Sequence, residues 1–121
     1  MLKVEVDKKN NLLKFTIASV LTVKEAALGL KETEKALLQL KPNLFILTDI
    51  SNVEDFDNLT KNYIDQIMDI CNEKGVVKIA RVIPNLGKDI GLNIMSLFHY
   101  HKDVKTITCN NSEEALKRLL L

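Results

Sequence analysis

The chain has only two cysteines, Cys71 and Cys109, far apart and without a C-x-x-C pair. That pattern suits a reducing compartment better than a disulfide scaffold. Arginine is equally scarce, with Arg81 and Arg118 alone among seventeen basic residues, which stand against sixteen acidic ones for a formal charge of +1. A surface that reads phosphates leans on the arginine fork and a positive field, so neither nucleic acid nor an anionic membrane surface is an expected partner. No apolar run approaches the roughly 20 residues of a membrane-crossing helix. The N-terminus, Met1-Leu2-Lys3-Val4-Glu5-Val6-Asp7, alternates apolar and charged residues, unlike a signal peptide. A cytoplasmic protein of bacterial style is the expectation. With 121 residues and 46% hydrophobic content, the chain is sized for one domain over 1–121.

Strand and helix patterns alternate along it. Residues 2–7 and 12–18 are strand-like runs joined by Lys8-Lys9-Asn10-Asn11, which predicts an antiparallel hairpin. Thr22 and Glu25 form a capping box ahead of Val23, Ala26, Ala27, Leu30, Leu37 and Leu38, and Lys41-Pro42 ends that helix. Leu44-Phe45-Ile46-Leu47 is a continuous apolar run, as expected of a central strand buried on both faces, and ends in Thr48-Asp49. A second helix carries Leu59, Tyr63, Ile64, Ile67, Met68 and Cys71 and stops near Gly75. Val76 to Ile83 reads as a strand, and Ile90, Ile94, Leu97 and Phe98 mark a third helix. Val104 to Thr108 reads as the last strand, and Asn111 with Glu114 caps a last helix through Ala115, Leu116, Leu119 and Leu120. The expected fold is α/β, ordered β-β-α-β-α-β-α-β-α, with a mostly parallel sheet of about five strands and about four helices.

Ligands of open sheets meet the loops at the carboxyl ends of strands. Two segments qualify. Asp49 to Thr60, read as a loop into the second helix, carries four carboxylates, but a calcium loop from Asp55 would need glycine where Thr60 stands and glutamate where Gln66 stands. Capping of the helix by Asp57 or Asn58 is the simpler role. The turn at Gly87-Lys88 lacks the remaining residues of a P-loop. His99 and His101 stand two apart, on opposite sides of a helix. Cys71 falls on an apolar helix face with no cation at helical spacing, as a core residue would. No G-x-S-x-G motif and no local pairing of nucleophile with base occurs. The expectation is a protein that is not an enzyme and holds no metal or cofactor.

The order of elements, with Leu47-Thr48-Asp49-Ile50-Ser51-Asn52-Val53 and Ser112-Glu113-Glu114-Ala115-Leu116, resembles the STAS superfamily. Within it the chain is most similar to SpoIIAA-like relatives of the anti-sigma-factor antagonists, whose corresponding strand Val77 to Val82 also resembles. In the antagonists a serine beyond the central strand is phosphorylated by a partner kinase. Aligned from Asp49, the matching positions are Asp57, Asn58, Leu59 and Thr60. Asparagine stands at the acceptor position, and the glycine that follows in the antagonists is missing. The resemblance implies a regulatory module that binds a protein such as a regulator or kinase, without the usual serine switch. Its contact residues would be Asp49, Ser51, Asp57, Asn58 and Thr60. A second reading is a carrier of a small lipophilic molecule in an apolar pocket between helices, lined by Met68, Ile94, Met95 and Phe98. Exposed apolar helix faces could also serve a homodimer.

Overall fold

The computed structural model describes residues 1–83, 98, 100 and 103–121. Among them five strands form one mixed sheet: β1 (Leu2–Asp7), β2 (Leu12–Leu21), β3 (Leu44–Phe56), β4 (Val76–Val82) and β5 (Lys105–Cys109), side by side in that order. β1 runs antiparallel to β2, and every later neighbour is parallel. The α-helices among the described residues are α1 (Val23–Leu37), α2 (Lys61–Lys74) and α3 (Ser112–Leu119). That makes three rather than the four expected. Of the remaining stretch, Ile90, Ile94 and Leu97 lie outside the described residues.

The continuous apolar run of β3 follows from a sheet covered on both faces. On the first face Leu13, Phe15, Ile17, Leu44, Ile46, Ile50 and Ile79 pack with Ala36 and Leu37 of α1 and Ile64, Ile67, Met68 and Cys71 of α2. On the second face Leu12, Leu47, Ala80, Val82, Ile107 and Cys109 meet Ala115 and Leu119 of α3. The covers are unequal. α3 reaches β3, β4 and β5, while the β1–β2 part of that face carries Lys3, Glu5 and Lys14 by strand alternation.

Local chemistry fixes the connections. In the hairpin turn the Asp7 carboxylate accepts from the Asn10 backbone N–H (3.2 Å) and side-chain amide (2.8 Å). Asn11 takes a left-handed φ of 51°, which asparagine tolerates. Its side chain then donates to the Lys41 carbonyl (3.0 Å) and accepts from the Lys41 N–H (2.8 Å), tying the hairpin to the approach to β3. At α1 the Glu25 N–H donates to the Thr22 hydroxyl (3.2 Å), which donates back to the Glu25 carboxylate (3.1 Å). The other Glu25 oxygen meets the Met1 ammonium at 2.9 Å.

Two expectations need correction. β3 does not stop at Asp49 but runs to Phe56, so most of the expected loop is strand. Ile50 and Val53 bury their side chains in the first-face core, and two shifts in register against β2, one between Asp49 and Asn52 and one between Val53 and Asp55, absorb the extra residues. Leu38, expected on the core face of α1, is 85% exposed, because the helix ends at Leu37 and Leu38 is its C-cap.

Gly75 closes α2 with φ 105°, its N–H donating to the Cys71 and Asn72 carbonyls and its own carbonyl accepting from the Leu44 N–H at 3.0 Å. One residue thus ends the helix and starts the central strand. A side chain is strained at that φ, so Gly75→Ala is expected to lower unfolding free energy by about 1–2 kcal/mol in urea titration, with an unchanged slope.

Candidate functional site

The expected contact residues fall into two groups at opposite ends of the second half of β3. From Asp49 to Asp57 is about 26 Å of extended chain. The structure does not bring the groups together.

At the first, Asp49 points to the second face of the sheet. One carboxylate oxygen accepts from the Ser51 hydroxyl at 2.6 Å and the Ser51 N–H at 3.0 Å, and the other accepts from the Ser112 hydroxyl at 2.6 Å. Ser112 is the first residue of α3, whose N-cap Asn111 accepts from the Glu114 N–H at 2.8 Å. Burial works to raise the Asp49 pKa. The bonds from Ser112 and Ser51, with the nearby Lys14 charge, outweigh it and hold the carboxyl below its ordinary value. At the other end of α3 the Lys78 ammonium donates to the carbonyls of Arg118 (2.9 Å) and Leu119 (3.3 Å). An anion at the start and a cation at the end both complement the helix dipole. Beside this latch lies an open groove of about 360 Å³, bordered by β1 at Val6, with Leu12, Leu47 and Leu116 on its apolar part and Glu5, Asp7, Lys14, Ser112 and Glu113 on its polar part.

The second group forms the turn between β3 and α2. Asp57 caps a 3-10 turn, Asn58–Thr60, by accepting from the Leu59 N–H at 2.9 Å, and the Asp57 N–H donates to the Leu21 carbonyl at 3.0 Å. The capping role read from the sequence is therefore real, though it serves the 3-10 turn rather than α2 itself. Thr60 is fully buried, its hydroxyl donating to the Asp57 carbonyl at 2.7 Å. Asn58 and Leu59 face outward.

A third polar place escaped the sequence. Thr48 and Arg81 are neighbours in register on the first face of the sheet, and the Thr48 hydroxyl, the Arg81 Nε and the Tyr100 hydroxyl are all sealed from solvent with no well-formed hydrogen bond among the described residues. Burial drives the Tyr100 pKa up, with the Cys71 thiol adding to the rise, while Thr48 and the Arg81 charge oppose it. Nothing in the pattern of β3 distinguishes this threonine from an ordinary strand residue.

Of the expected carrier pocket, Met68 is buried in the core and Phe98 packs against the same cluster. Ile94 and Met95 lie outside the described residues, as do His99, His101 and the Gly87-Lys88 turn. The groove that is described lies on the other face. Among the described residues no three His, Cys, Asp or Glu side chains come together as metal ligands. Burial pushes the Cys71 thiol up to about 12, far from a thiolate nucleophile at neutral pH. No helix among the described residues is long and apolar enough to cross a membrane. Ser112 and Lys14 are the residues that sequence reading missed at the Asp49 site, because no local spacing links a serine to an aspartate 63 residues away.

No protein-family profile and no curated protein matches the sequence. Solved structures do. One is an uncharacterized protein of the DUF3478 family with a SpoIIAA-like fold from Shewanella loihica PV-4, at TM-score 0.68 and 16% identity, covering 100% of this chain and 93% of that one. Another is the anti-sigma factor antagonist SpoIIAA in its unphosphorylated form, at TM-score 0.62 and 10% identity, covering 98% and 97%. A third is a putative anti-sigma factor antagonist from Thermotoga maritima, at TM-score 0.62 and 20% identity, covering 97% and 92%. The likeness is one of fold, and the fold is SpoIIAA-like.

Two outcomes test these polar places. Because the folded pKa of Asp49 lies below its unfolded value, its contribution is full above the ordinary 3.8 and is lost as pH falls through the folded value. Asp49→Asn should cost about 2 kcal/mol at neutral pH by urea titration, and the gap to wild type should close below about pH 3.8. In contrast, the pair Thr48→Val with Tyr100→Phe removes these two buried, facing hydroxyls together. It should be neutral or stabilising by about 1 kcal/mol in thermal melts.

Proposed function

We propose that the chain is a non-catalytic regulatory module that binds a protein partner through the β3–α2 turn, and that it does so without a serine phospho-switch. The observation that carries this reading is Leu59, 71% exposed on a turn whose Asp57 and Thr60 side chains are already engaged. The Asp57 carboxylate holds the Leu59 N–H, and the Thr60 hydroxyl is folded back onto Asp57. Asn58 and Leu59 are thus presented in a fixed shape, and a pre-ordered apolar contact loses less entropy on binding. The absence of a switch follows from the same residues. Asn58 has no hydroxyl, and that of Thr60 is buried. Asp49 and Ser51 contribute in this reading as the latch on α3 rather than as contacts. A cytoplasmic setting keeps the two free thiols reduced.

A second reading, binding of a small lipophilic molecule, is favoured by the groove beside α3. Its volume of about 360 Å³ lies at the small end of ligand sites, and its lining combines Leu12, Leu47 and Leu116 with Lys14 and the carboxylates of Glu5, Asp7 and Glu113, which would suit a ligand with a polar head.

One experiment addresses both. Tagged wild type, Asn58→Ala/Leu59→Ser and Leu116→Glu are used to capture partners from cells, with mass spectrometry of proteins and small molecules. The expected result is a partner protein lost only with the Asn58/Leu59 variant and no phosphate on the 57–60 segment. A partner retained by that variant would sink the first reading. A small molecule lost only with Leu116→Glu would establish the second.

A further inference from the structure

β1 ends one side of the sheet, and among the described residues no strand pairs with its outer edge. The Met1 ammonium donates to the Ala18 carbonyl at 2.7 Å and the Ala18 N–H donates to the Met1 carbonyl at 3.0 Å, which makes these two a hydrogen-bonded pair. From the antiparallel alternation, Lys3, Glu5 and Asp7 also turn their backbone groups inward to β2, while Leu2, Val4 and Val6 turn theirs outward. Three N–H and three C=O groups therefore line a free edge. Natural edges are commonly blunted by proline, a bulge, short length or charged side chains, and the charges of β1 are of both signs, so they can pair with a second copy. β1 has no proline, and its register against β2 is unbroken.

Its side chains are self-complementary about one point. Leu2, Val4 and Val6 lie on the apolar first face, packed against the core, and Lys3 and Glu5 lie on the second, where their 3.8 Å ion pair is exposed. A twofold axis at Val4 would set Val4 against Val4 of a second copy as a hydrogen-bonded pair. Leu2 then faces Val6 of the second copy, and Lys3 faces its Glu5. Other centres fail. An axis at Lys3 or Glu5 opposes identical charges across inward-turned backbone, and one at Val6 sets Glu5 against Asp7. Over this margin Gly29 of α1 leaves the room that the Leu2 side chain fills, since a Cβ there would meet it.

We propose that the chain forms a twofold homodimer by antiparallel pairing of β1 with β1 of a second copy, centred on Val4, so that two five-stranded sheets become one. The outward N–H and C=O groups of Leu2, Val4 and Val6 bond across the axis, and two Lys3–Glu5 pairs fix the register. The dimer leaves Asn58 and Leu59 untouched, so it stands or falls independently of the partner reading.

Sedimentation of the full chain over a concentration series tests it, with thermal melts to show that each variant is folded. Wild type is expected to pass from monomer to dimer. Lys3→Glu and Glu5→Lys each place like charges across the axis twice and should raise the dissociation constant about tenfold or more. An equimolar mixture of these two variants restores both opposite-charge pairs and should dimerise again, as a heterodimer. Val4→Pro removes the central outward N–H, which the monomer does not use, and should sediment as a folded monomer. A wild type that stays monomeric, single variants that dimerise like wild type, or a mixture no tighter than its components would overturn the proposal.

Discussion

An isolated helix of eight residues is far below the length that is stable in water, yet α3 alone covers the second face of the sheet among the described residues. Its existence depends on what the sheet supplies. Ala115 and Leu119 give it a buried stripe against β4 and β5. Asn111 caps its start, the Asp49 carboxylate takes the Ser112 hydroxyl there, and Lys78 occupies its last carbonyls. The two charges sit at the ends whose partial charge each complements. They come from adjacent strands, so the helix axis is fixed across β3 and β4 by chemistry rather than by length of contact.

β3 makes this possible because it is longer than a buried strand needs to be. Its first half is apolar on both faces and joins the two cores. Its second half puts Asp49 under α3 and then carries the chain to the turn where Asp57 caps Asn58–Thr60. The Leu21 carbonyl receives the Asp57 N–H at 3.0 Å, so β2 runs long for the same reason. The latch and the exposed turn are held by one rigid element, whose two ends present different surfaces.

The legible parts of the sequence were those whose signals are local. The Thr22/Glu25 and Asn111/Glu114 capping pairs, Gly75 as a left-handed C-cap and the apolar run from Leu44 to Leu47 each state their structure within a few residues, and all are present. Asp49 to Phe56 was misread as loop because its polar residues break the simple alternation, and only pairing with β2 through shifted register reveals it as strand. Ser112 against Asp49 and Tyr100 over Thr48 are contacts across the fold, and no spacing in one chain announces them. Thr60 shows the limit most clearly. A threonine in a first turn looks available in sequence, but its burial depends on how the 3-10 turn meets α1 and α2.

That burial bears on how a module of this kind would be controlled. A phosphate adds charge and strong acceptors, and it acts best where donors are free to receive it. In the Asp57–Thr60 turn the Leu59 N–H is already held by the Asp57 carboxylate and the Thr60 N–H by the Asp57 carbonyl. A phosphate at this place would compete with the aspartate and lie next to its charge. The turn is thus ordered by a permanent anion of its own. On the proposed reading, binding through Asn58 and Leu59 is constitutive, and its extent is governed by the concentrations of the chain and its partner rather than by modification of the turn.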